Sequence, residues 1–121
     1  MNARMIPNEA LFHFENMIYL PMLITILTRD LEAIQSSTVK LKKPYLNMIN
    51  NSLGNVQKDL RHTYEYLRRN KMRLEKGKTD DMFTEYLLIH QGYDDTRRYL
   101  NVRLRNRTEE LLTVYLSQNS I

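Results

Sequence analysis

The chain has 121 residues, 42% hydrophobic and 26% charged, which fits one globular domain (residues 1–121) with a modest core. It has no cysteine, which excludes disulfides, thiolate zinc sites and cysteine nucleophiles. The net charge of +4 hides a segregation: residues 38–78 carry eleven Lys or Arg against three Asp or Glu, while residues 1–37 and 79–121 each carry a balance of −2.

In chain order, residues 1–4 and the following Pro7, Asn8 and Glu9 lack the pattern of a targeting signal. A first helix is predicted from Pro7, a residue suited to a helix start, to about Gln35. Met17, Leu20, Ile24, Leu27, Leu31 and Ile34 recur at spacings of three and four along it, and Pro21 is expected to kink or break it. Its most apolar stretch, residues 18–27, is about half the length that a bilayer span requires, so no membrane association is expected. It reads instead as a helix buried on several sides.

The next helix opens at Pro44, after Lys40, Lys42 and Lys43, and ends near Leu67, followed by Arg68, Arg69, Lys71 and Arg73. Leu46, Ile49, Leu53, Val56, Leu60, Thr63 and Leu67 form a heptad seam with Thr63 as its one polar member. Two seamed helices joined by a short loop predict a long antiparallel helical hairpin. The seams are long for a monomer of this size. Leu20, Ile24 and Leu27, with the apolar members of the second seam, are therefore expected to form the interface of a homo-oligomer.

After Asn70, Met72-Arg73-Leu74-Glu75-Lys76 alternates, a turn-like Gly77 to Asp81 follows, and residues 83–90 are rich in aromatic and aliphatic side chains. The reading is a small two-stranded β-hairpin. The rival is a short helix capped by Thr79. A last helix is predicted from Asp94 or Asp95 to about Ser117, with Leu100, Leu104, Leu111 and Tyr115 on one face and fraying over residues 118–121. The predicted fold is mainly α: a helical hairpin, a C-terminal helix and a minor β element.

The basic middle third points to an anionic partner, either nucleic acid or an acidic protein surface. Lys40, Lys42 and Lys43 stand against the dipole of the helix they precede, which favours an anion there, although they also serve to solvate a loop. Arg68, Arg69, Lys71 and Arg73 lie at the opposite end, where cations suit the dipole. Arg61 and Tyr64 beside them resemble a stacking surface for nucleic acid or the centre of a protein interface. No catalytic, metal or cofactor signature is present: His13, His62 and His90 are dispersed, and there is no glycine-rich phosphate loop. The chain is expected to be a non-catalytic cytoplasmic protein. A purely protein-binding inhibitor or adaptor is the alternative.

Ile6-Pro7-Asn8-Glu9-Ala10-Leu11-Phe12, Lys42-Lys43-Pro44-Tyr45 and the stretch from Tyr99 to Leu111 resemble small proteins carried by phages and prophages of Bacillus-like bacteria. The resemblance implies an accessory role acting on gene expression, replication or a host protein. It transfers no site residues.

Overall fold

The computed structural model describes residues 6–118, so the readings made for residues 1–4 and 119–121 lie outside it. The elements run α1 (Asn8–Gln35), α2 (Lys43–Arg69), β1 (Met72–Thr79), β2 (Phe83–His90), β3 (Tyr93–Leu100) and α3 (Asn101–Ser117). The strands form one antiparallel sheet of order β1-β2-β3. The molecule is thus α+β with a three-stranded sheet, which corrects the expectation of a mainly α fold with a two-stranded hairpin.

The correction has a local cause. Gln91 and Gly92, with φ of 49° and 84°, form a two-residue turn of the kind that returns a strand tightly on its neighbour. Residues 93–100 then pair with β2 instead of starting a helix: Asp95 lies opposite Leu88 and Arg98 opposite Glu85. Tyr99 meets Tyr86 edge-on at 5.8 Å, a diagonal aromatic contact that favours the strand. Asp94 and Asp95, read as helix-cap residues, are strand residues, and α3 begins six residues later.

Helix α1 runs unbroken through Pro21. The proline is exposed, and losing one backbone hydrogen bond costs about 3 kcal/mol. Burying Leu20, Leu23 and Leu27, each about 1.5–3 kcal/mol, outweighs that. By length and composition α1 is apolar enough to cross a membrane. Here it is the central core helix. Ala10, Phe14 and Ile18 pack with Tyr86 and Leu88 of the sheet, while Leu20, Leu23 and Leu27 pack with Ile49 and Val56 of α2 and Tyr115 of α3.

The heptad seam of α2 faces α1, antiparallel to it. Ile49, Val56 and Leu67 are buried, with Leu53 and Leu60 packed against the same core and Leu46 half-buried. These contacts are made within one chain, as are those of Leu20, Ile24 and Leu27, so covering the seams does not require a second copy. Thr63 is fully buried in the seam. Asn16 Nδ2 donates to its hydroxyl at 3.0 Å, and the hydroxyl and His13 Nδ1 share a hydrogen bond of 2.9 Å. The His13 ring stacks on Tyr66 at 4.0 Å. At the far end of the sheet Asn101 binds α3 to the β1–β2 turn: its amide nitrogens donate to the Met82 and Asp80 carbonyls, and its Oδ1 accepts from Thr84. Asp80 accepts the Met82 and Phe83 amides, which hold its carboxyl below the usual range.

Two predictions follow from this core. Leu23→Ala should cost about 2–5 kcal/mol in urea unfolding, whereas Arg29→Ala, exposed on the same helix, should stay within about 0.5 kcal/mol. Burial lowers the His13 pKa from 6.5, opposed by the nearby Glu9 carboxylate. The unfolded ring therefore takes up its proton at higher pH than the folded one. Stability should fall as pH drops below about 6.5 and level off below the folded value. Thermal unfolding between about pH 5 and 8 should show this fall in the parent and a flatter profile in His13→Gln.

Candidate functional site

The basic residues of the middle third are split by α2 into two groups. Twenty-seven residues at about 1.5 Å each separate Lys43 from Arg69 by about 40 Å. At the first end, Lys40 and Lys43 are exposed, but Lys42 Nζ donates to the Gln35 carbonyl at 2.9 Å. That lysine neutralises the C-terminal end of α1 across the loop, a structural use of its charge.

The second end is more elaborate. Asn70 Nδ2 donates to the Tyr66 carbonyl at 2.8 Å, and the Lys71 amide to the Arg68 carbonyl at 3.2 Å. Lys71 itself takes φ of 56°, the left-handed conformation that closes many helices. The chain thereby turns at once from α2 into β1, and Arg73 comes to lie beside Arg68. Between them is a groove of about 330 Å³, lined by Tyr64, Arg68 and Arg73 and by apolar Met17, Leu67, Met72 and Leu74. Tyr64 is 61% exposed, a large aromatic surface left open among cations. Arg73 also pairs with Glu75 at 3.0 Å, an exposed contact of little energetic weight.

Arg61, Arg69 and Lys71 are exposed near this groove in sequence but do not line it. Met17 and Leu74 are part of it and were missed by sequence reading. For Leu74 the signal was present: the alternation from Met72 to Lys76 puts Met72 and Leu74 on one face of the strand. Met17, on α1, had none. The groove offers cations, one stacking ring and an apolar floor. Among the described residues, no three His, Asp or Glu side chains gather as a metal site.

A family model described as "YhjD protein" matches residues 5–120. A Bacillus subtilis (strain 168) protein described as "Uncharacterized protein YhjD" is 44% identical over 102 residues, covering 84% of this chain and 85% of that one. No solved structure matches. The chain belongs to the YhjD family.

Lys71 allows the charge of this surface to be separated from its fold. Lys71→Gly relieves the left-handed strain while adding freedom to the unfolded chain, two effects of about 1 kcal/mol each and opposite sign. Its thermal midpoint should match or slightly exceed the parent's, whereas Lys71→Val should unfold earlier.

Proposed function

We propose that this YhjD-family protein is a non-catalytic cytoplasmic accessory protein that binds nucleic acid at the groove between α2 and β1. A phage or prophage origin, in line with the sequence resemblance, is part of the proposal. The carrying observation is the exposed Tyr64 ring, which lines one groove with Arg68, Arg73 and four apolar side chains. An unpaired base stacks on such a ring, and guanidinium groups at its sides meet the flanking phosphates. Arg61, Arg69 and Lys71 extend the positive field along the backbone. A duplex would not present its base faces to the ring, so single-stranded segments are the favoured ligand.

The methionine-rich floor, Met17 and Met72, supports a second reading in which an acidic peptide inserts an apolar side chain. Salt separates the two. Nucleic-acid affinity falls steeply with salt as counterions leave the strand, and an apolar anchor is less sensitive.

Fluorescence anisotropy with a labelled single-stranded oligonucleotide at several salt concentrations tests the proposal. Tyr64→Ala should weaken binding by about 1–3 kcal/mol with an unchanged salt slope. Arg68→Gln with Arg73→Gln should reduce the slope by about 0.7 for each lost phosphate contact. Replacing Lys40, Lys42 and Lys43 by glutamine should have a smaller effect, because they lie at the far end of α2. Absence of binding by the parent at low salt would sink the nucleic-acid reading.

A further inference from the structure

The acidic balance of residues 79–121 conceals a second gathering of arginine. Where β3 passes into α3, Arg97, Arg98 and Arg103 line a cleft of about 500 Å³ with Phe83, Tyr99 and Glu15. A volume of this size suits a small organic ligand. The cleft is built on β2, β3, α3 and α1, apart from the groove at α2 and β1, and does not depend on the reading given to that groove.

Arg97 and Arg98 are each held in place by a contact that uses only part of their five N–H donors. Arg97 Nε donates to Asp95 Oδ2 at 3.1 Å. Arg98 lies flat over the Phe83 ring, 4.1 Å from its centroid. Its contact with Glu85 is 3.9 Å, beyond hydrogen-bond length, so its donors are oriented but unspent. Arg103 stands in the first turn of α3, which has no acidic residue, and none of the ion pairs among the described residues includes it. A cation there opposes the helix dipole, a placement that an anion in the cleft would offset.

We infer that this cleft binds a small phosphate monoester. Guanidinium forks match the tetrahedral oxygens of a phosphate better than point-charged ammonium groups do. The lining charge is three positive against one negative, which accommodates a dianion. Glu15 gives the cleft its selectivity. Its carboxylate only accepts hydrogen bonds, so it disfavours a bare anion and suits a ligand with hydroxyl or amino donors beyond the phosphate. Tyr99 supplies an aromatic wall for a ring, while the Phe83 ring is covered by Arg98. The shared chemistry is that of a sugar phosphate or a mononucleotide.

Calorimetric titration of the full chain with ribose 5-phosphate, AMP, inorganic phosphate and adenosine tests the assignment. Both phosphate monoesters should bind, inorganic phosphate more weakly, and adenosine not at all. A preference for AMP would identify the nucleotide, and equal affinity the sugar phosphate. Arg103→Gln removes an exposed side chain, so circular dichroism should be unchanged while affinity for the monoesters drops about tenfold or more. Glu15→Gln should bring inorganic phosphate closer to the monoesters in affinity. Arg29→Ala, an exposed residue of α1 that lines neither surface, should leave all four titrations unchanged. Failure of every phosphorylated probe to bind the parent overturns the inference, as does equal affinity of the parent and Arg103→Gln.

Discussion

The fold depends on one constraint: α1 is apolar around too much of its circumference to be covered by a single partner. A helix with one apolar stripe is satisfied by one neighbour, and α2 is such a helix. On α1, Ala10, Phe14 and Ile18 turn towards the sheet while Leu20, Leu23 and Leu27 turn towards α2 and α3. The remaining elements are arranged by that demand. The long seam of α2 takes one side, the inward face of β2 (Thr84, Tyr86, Leu88 and His90) takes another, and α3 closes the angle between them with Leu104 and Tyr115. The polar contacts inside this core are few, and His90 Nδ1, buried on that face of β2, has no hydrogen-bond partner. The Tyr115 hydroxyl donates to Asp59, and burial with that carboxylate raises its pKa. Tyr19, buried beside Glu15, is pushed up to about 12.

The helical part of this arrangement was legible in the sequence because helix periodicity is local. The bounds of α1 follow from Pro7 and from the Ser36-Ser37 break, and the seam of α2 is visible in its three-four spacing. The third strand was not legible. Tyr93 to Leu100 contains two aspartates and two arginines, which read as a capped and charged helix start, and its strand character comes from cross-strand partners in β2. The tight turn at Gln91-Gly92 is the one local signal of this hairpin. Pro21 misled in the opposite direction, since local propensity predicted a break that tertiary burial overrides.

The candidate surfaces show the same division. Arg68 and Arg73 are five residues apart, so their convergence was nearly visible. The arginines of the β3–α3 cleft lie in a segment whose net charge is negative, and a regional balance says nothing about which side each charge faces. Two of the seven acidic residues of that segment, Asp95 and Glu85, steady Arg97 and lie near Arg98. Conversely, a lysine that looked available, Lys42, is engaged at the end of α1. Charge counted along a chain and charge presented to a ligand are different quantities.

The buried Thr63 has a consequence for how the two long helices find each other. Leucine seams are forgiving: a pair displaced by one heptad, about 10 Å, still sets apolar side chains against apolar side chains. A displaced pair would leave the Thr63 hydroxyl and the Asn16 amide without each other, at about 1–3 kcal/mol for each buried group left unmatched. Alignments that are nearly equal in oiliness are thus made unequal by three polar atoms. The groove at the end of α2 inherits that choice, because Met17 comes from one helix and Leu67 from the other. A slipped pair would still be a helical hairpin, but its groove would have no floor.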